Sequence, residues 1–174
     1  MDLNEYQEKI VEIWESDKDS EDLLLFCCVG MAEEAGECMG KIKRAMRGEG
    51  FDRQCFLLEL GDCLAYWAMA NYAYSQIDKQ WVLNNMKIPL LIPRTLLRHS
   101  ISLFEECFHC LDKVDRRDFE GMCYFLTDVF TAIRGCLSSP EIKGTFAEVT
   151  ELNLDKLYDC KTRLGTLKGS GDSR

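Results

Sequence analysis

Two groups of acids lie inside the apolar stripes of two helix-patterned segments, and any fold of this chain has to place them inward. The first is Glu33-Glu34-Ala-Gly-Glu37 and the second is Glu59-Leu-Gly-Asp62. At 3.6 residues per turn, positions three and four apart share a helix face. Glu34 therefore projects with Glu37, and Glu59 with Asp62, while Glu33 stands to the side. Leu23, Phe26, Cys27 and Gly30 form the stripe that continues into Glu34, Glu37, Lys41 and Arg44. Cys55, Glu59, Asp62, Tyr66, Ala70 and Ala73 share one face of the next segment. An EExxE group is ordinarily a solvated helix face with partners one turn away. On an apolar face that reading weakens, because burying several carboxylates without a cation is strongly unfavourable. Hard divalent ions such as Mg²⁺ take oxygen ligands of this kind.

The rest of the chain favours helix throughout. It has 174 residues, 47% of them apolar, which suits a single domain (1–174) with a sizeable core. Only three prolines occur, and no segment alternates Val, Ile and Thr at length. The 3–4 spacing of apolar residues predicts helices over roughly 2–15, 21–47, 52–79, 94–115, 119–137 and 140–163. Asp19 or Ser20 is the expected N-cap of the second, and Gly48-Glu-Gly50 its end. Gly36 and Gly40 leave room for a close neighbour. Pro89 and Pro93 make 80–93 a break. The fourth helix is expected to turn Leu97, Ile101, Phe104, Phe108 and Leu111 inward. The fifth should bury Met122, Phe125, Leu126, Val129 and Ile133. Ser138-Ser-Pro140 is read as the cap of the last helix, which carries Phe146, Val149, Leu152 and Leu157.

Charge and cysteines narrow the function. A net charge of −9 argues against a nucleic-acid polymer as partner, which needs a basic face; a nucleotide remains open. The N-terminus is acidic and polar, and no run reaches the ~18 apolar residues of a membrane span. The ten cysteines are therefore expected reduced, as small core hydrophobes of a cytoplasmic protein. Cys107-Phe-His-Cys110 is only half of a zinc site. A di-iron bundle needs two Glu-x-x-His pairs, and Glu106-Cys-Phe-His109 supplies one, since His99 has Leu96 three residues before it. His99 and His109 are thus expected to be ordinary residues. No GxSxG, no Walker-type loop and no cysteine with an evident histidine partner supports covalent catalysis. Water activated by metal is the natural alternative.

A weaker pattern links the two halves. Glu105-Glu106 to Arg116 can be laid on Glu33-Glu34 to Arg44, with His109 in the place of Glu37, Phe125 in that of Glu59 and Asp128 near that of Asp62. This is either a degenerate duplication that lost its acids or a chance match of helical segments. On the first reading, helices at about 21–79 carry the chemistry, a supporting half lies at about 94–138, and a closing helix and tail follow at about 140–174.

EExxE followed by ExxD, here with 21 residues between, resembles the all-α nucleoside triphosphate pyrophosphohydrolases of the MazG-like group, which includes the all-α dUTP and dCTP diphosphatases. The stretches Gly36 to Arg44, Leu60-Gly-Asp-Cys-Leu-Ala-Tyr66, Leu3-Asn-Glu-Tyr-Gln7 and Asn153 to Lys156 are similar to the family's as well. The resemblance covers about residues 2–78 and 148–174. It implies a MazG-like four-helix-bundle core with additional helices. It further implies Glu34, Glu37, Glu59 and Asp62 as ligands of two or more Mg²⁺ or Mn²⁺ ions, and Glu33 and Glu34 as catalytic carboxylates, with Glu33 either behind the ligands or on an additional ion, orienting the attacking water. Lys41, Lys156, Arg163, Lys168 and Arg174 become candidates for phosphate contacts, and Tyr66 and Asn153 for the sugar or base. The implied reaction converts a (d)NTP and water to (d)NMP and pyrophosphate. About 70 residues, 79–147, separate the second motif from the closing helix, which favours a homodimer over the family's tetramer. A dUTP- or dCTP-specific diphosphatase and a catalytically silent interaction domain are the alternatives.

Overall fold

The computed structural model describes residues 1–14, 16–80 and 95–164. Six helices follow in order: α1 (Leu3–Ile13), α2 (Ser20–Met46), α3 (Arg53–Ile77), α4 (Leu96–Asp115), α5 (Met122–Ser138) and α6 (Phe146–Leu164). No strand occurs among the described residues, so the chain is all-α as expected. Apart from residue 80, the expected break at 80–93 lies outside the described residues, as does the tail from Gly165 to Arg174.

Short polar side chains start four of the helices. Asp2, Asp19, Asp52 and Thr95 each accept a hydrogen bond from a backbone N–H of the first turn, and Asp2 forms a capping box with Glu5. Each such cap contributes about 1 kcal/mol. After α2, Gly48 and Gly50 both take a positive φ, the turn chemistry that their spacing announces.

Helix α3 is the axis of the molecule. It packs against α1, α2, α5 and α6, and buried residues recur around its whole circumference, among them Phe56, Leu57, Leu60, Leu64, Trp67 and Met69. A helix apolar on all sides is a buried helix. Glu59 and Asp62 are thereby carried into the interior. Contacts α2–α3, α3–α5, α5–α4 and α4–α2 close a ring, while α1 and α6 lie on α3 and touch each other.

Close helix approach depends on glycines other than those expected. A Cβ at Gly30 would meet the Tyr66 ring at 2.4 Å, and one at Gly61 would meet Asn153 Cβ at 2.9 Å. Those two positions admit α3 against α2 and α6 against α3. Gly36 faces only Phe104 at 3.9 Å, and Gly40 has nothing within 4 Å.

Three expectations need correction. Helix α4 turns Leu96, His99, Ser100, Leu103, Cys107, Cys110 and Val114 to the core; of the expected stripe, Leu111 packs against that core while Leu97, Phe104 and Phe108 are exposed. Both sets have 3–4 spacing; the buried one contains Cys, Ser and His, which a reading weighted to Phe, Leu and Ile passes over. Helix α5 starts at Met122, because Gly121 holds a left-handed φ of 73° immediately before it, and Phe125 is only half-buried. Ser138-Ser-Pro140 ends α5 and does not start α6. Ser139 precedes a proline and is held extended, and Thr145 Oγ1 accepts from Glu148 N–H at the start of α6.

Seven cysteines, Cys27, Cys28, Cys38, Cys63, Cys107, Cys110 and Cys136, are buried as free thiols, the small core residues expected. His99 is buried against Gly135, and His109 is exposed beside Glu106. Among the described residues, no helix is long and apolar enough to cross a membrane.

Candidate metal centre

Helices α2 and α3 each contribute acids to one point. Carboxylate oxygens of Glu34, Glu59 and Asp62 all lie within 4.8 Å of one another. Glu34 comes from the middle of α2; Glu59 and Asp62 stand three apart on α3 and therefore share a face. Three carboxylates this close repel, and burial adds to the cost of their charge. The Glu34 carboxyl is accordingly pushed up to about 8, first by burial and then by Asp62, Glu59 and Glu37.

Two lysines partly offset the charge. Lys41 Nζ lies 2.7 Å from Glu59 Oε1, with both side chains nearly buried. It is seven residues, two turns, beyond Glu34 on the same face of α2. Lys156 of α6 pairs with Asp62 Oδ2. Asp62 is held on its other oxygen by Asn153, whose Nδ2 donates to Oδ1 at 2.8 Å. Asn153 is wholly buried, and its own Oδ1 accepts from Tyr6 Oη of α1 at 2.7 Å. The absence of a side chain at Gly61 lets α6 come near enough for this network.

The predicted residues divide as follows. Glu34, Glu59 and Asp62 come together, with Lys41 and Lys156 on them. Glu37 is outside the close trio, one turn along α2, yet its charge acts on Glu34. Glu33 is exposed beside Glu34. Tyr66 is half-buried next to the acids, its hydroxyl raised by burial and by Glu34, Glu33 and Asp62. Its ring packs edge-on with Trp14 and Phe26, at 4.9 and 6.0 Å. Asn153, expected at the sugar or base, is wholly buried with its amide between Asp62 and Tyr6. Arg163 pairs with Asp159 on the exposed surface of α6. Lys168 and Arg174 lie outside the described residues. In the sequence Tyr6 stands out only as part of the Leu3-Asn-Glu-Tyr-Gln7 stretch of the first helix. Its role as a hydrogen-bond donor had no local signal, because its partner is 147 residues away.

The donor set fits a hard divalent cation. It is all oxygen, anionic, and drawn from two rigid helices, with room in a coordination sphere of six for water or phosphate oxygens. Comparison of the chain with protein-family models, curated proteins and solved structures gives no match. The molecule is thus defined by its own geometry: an all-helical protein with a carboxylate trio that could hold a metal ion.

The raised Glu34 fixes the sign of a pH dependence. Its folded value is above the ordinary 4.5. In the metal-free protein, stability therefore falls as pH rises from about 4.5 to about 8, because the native state binds more protons than the unfolded one over that range. An incoming cation displaces that proton. Mn²⁺ affinity is expected to rise towards about tenfold per pH unit between roughly 6 and 8 and to level off above. Titration calorimetry in buffers of different protonation enthalpy checks this, with about one proton released per ion near pH 7. A pH-independent affinity would contradict it.

Proposed function

We propose that the chain is a metal-dependent nucleoside triphosphate pyrophosphohydrolase of the MazG-like all-α type, converting a (d)NTP and water to (d)NMP and pyrophosphate. The observation that carries this reading is the trio Glu34, Glu59 and Asp62 with two lysines on it. An acidic trio alone suits any divalent-ion site. Ammonium groups at the same point suit a substrate that is itself polyanionic and brings its phosphates to the metals. The closed ring of α2, α3, α5 and α4 supports a four-helix core.

Glu34, Glu59 and Asp62 would hold Mg²⁺ or Mn²⁺, with Glu37 as the next carboxylate along α2. The bound ions supply Lewis acidity towards phosphoryl oxygens and acidify a coordinated water. Asn153, itself fixed by Tyr6, keeps Asp62 in one orientation, which a ligand needs if its geometry is to be preset. Lys41 and Lys156 place positive charge where phosphate oxygens arrive, compensating negative charge on the leaving pyrophosphate. Exposed Glu33, beside Glu34, accepts a hydrogen bond from the attacking water. Tyr66, Trp14 and Phe26 offer an aromatic edge for the base, and the phosphate-contact role of Lys168 and Arg174 is retained. On this reading the protein works in the cytoplasm on the nucleotide pool, as a homodimer.

A panel of the canonical dNTPs with Mg²⁺, read out as pyrophosphate, tests the proposal. Release of pyrophosphate from at least one, abolished by a chelator, is the expected outcome. A strong preference for dUTP or dCTP would place the chain with the specific diphosphatases. Absence of pyrophosphate from every member would defeat the enzymatic reading and favour a silent interaction domain.

A further inference from the structure

Helix α4 carries a second apolar stripe, opposite in role to the one it turns to the core. Leu97, Ile101, Phe104, Phe108 and Leu111 follow one another at spacings of four, three, four and three. Leu97, Phe104 and Phe108 are 38, 41 and 56% exposed; Ile101 and Leu111 are half-buried, Leu111 at the edge of the core. Isolated surface hydrophobes need no explanation, but a contiguous set does. Spacing that averages 3.5 residues is the seam geometry of one helix packed lengthwise on another.

Helix α2 runs antiparallel beside α4. Arg117, just past the end of α4, reaches Glu21 at 3.6 Å near the start of α2, and Phe104 lies over Gly36. Val29, two turns before Gly36 on the same face of α2, is 49% exposed and widens the patch.

The stripe is close to symmetric about its centre. Leu97 and Leu111 stand seven residues either side of Phe104; Ile101 is three before it and Phe108 four after. Charge is not symmetric. Arg98 is the sole formal charge from Leu96 to Phe104, whereas Glu105, Glu106, Asp112 and Asp115 face only Lys113 in the remainder of α4. An antiparallel copy of α4 sets leucine against leucine at both ends and Arg98 across from the acidic half, near Asp112. A parallel copy would align the two acidic halves.

We propose that this face is a two-fold interface, in which α4 packs antiparallel on α4 of a second copy of the chain with Phe104 at the axis. An isologous contact of this kind closes as a dimer. None of the carboxylate trio takes part, so the interface is independent of the chemistry proposed above.

Sedimentation of the full chain at tens of micromolar is expected to give about 40 kDa, twice the 20.0 kDa of one chain. Phe104→Glu with Phe108→Glu is expected to give a 20.0 kDa monomer of unchanged helical circular dichroism, because both side chains are partly exposed, at 41 and 56%. Cross-linking reads the register without depending on stability. Under mild oxidation Phe104→Cys should give a covalent dimer above the wild-type background, Leu97→Cys should not, and a mixture of Leu97→Cys with Leu111→Cys should. A monomeric wild type would overturn the proposal, leaving the face to another part of this chain, such as residues 81–94. A double-glutamate variant that stays dimeric would also overturn it, as would a covalent dimer from Leu97→Cys but not from Phe104→Cys.

Discussion

Glu59→Gln is expected to slow pyrophosphate release by about 10³-fold while the protein stays folded. Outer partners of a metal ligand are typically worth about 10- to 100-fold, and a ligand is worth more. The substitution keeps the size of the side chain and one carbonyl oxygen, but it removes the charge that pairs with Lys41 at 2.7 Å. It also removes one of the charges that push Glu34 up. These two losses oppose each other, so the metal-free variant should melt close to the wild type, and Glu34 should lose its proton at lower pH. Steady-state rates with saturating Mg²⁺, set beside melting curves in chelator, separate the two effects. Full activity in Glu59→Gln would remove Glu59 from the ligand set, and a large drop in melting temperature would recast it as structural.

Trp67→Ala should produce the largest loss of stability. Trp67 is fully buried at the centre of α3, stacked on Phe130 of α5 at 4.7 Å between centroids. Its Nε1–H donates to Leu126 O at 2.6 Å. Alanine leaves a large void and removes the second hydrogen bond to a carbonyl already inside α5, and such changes cost ~3–5 kcal/mol, against a total of roughly 5–15 kcal/mol for a typical domain. At about 2–4 °C per kcal/mol for a chain of this size, a fall of ~6–20 °C in Tm follows. Trp67→Phe, which keeps the stacking and loses the donor, should fall by less. Equal melting of Trp67→Ala and wild type would mean that α3 and α5 are held together elsewhere.

Different parts of the molecule were legible to different degrees. Helix positions followed from apolar spacing because the caps are local: Asp19 and Gly48 act within one turn of the helix that they delimit. The inward acids were legible too, since α3 buries residues around its circumference and carries Glu59 and Asp62 inside with it. What failed was the choice between neighbouring stripes on α4. Spacing is the same for both, and the buried one relies on Cys107, Cys110 and Ser100, whose burial depends on what packs against them. The start of α6 failed for a related reason. Ser138-Ser-Pro140 has the composition of a cap, but the same residues serve to end the helix before it. Within the site, the link from Tyr6 through Asn153 to Asp62 spans three helices and has no sequence signature. Only the close approach at Gly61 makes it, and a glycine inside ExGD does not announce which helix will fill the space.

The most direct measurement of the central claim is Mn²⁺ binding followed by electron paramagnetic resonance at pH 8, in the wild type and in Glu59→Gln. A carboxylate trio built for a divalent ion predicts saturable binding in the wild type, competition by Mg²⁺, and at least about tenfold weaker binding in the variant. Equal, weak and non-saturating signals from both proteins would mean that Glu34, Glu59 and Asp62 hold lysines and protons, and no metal.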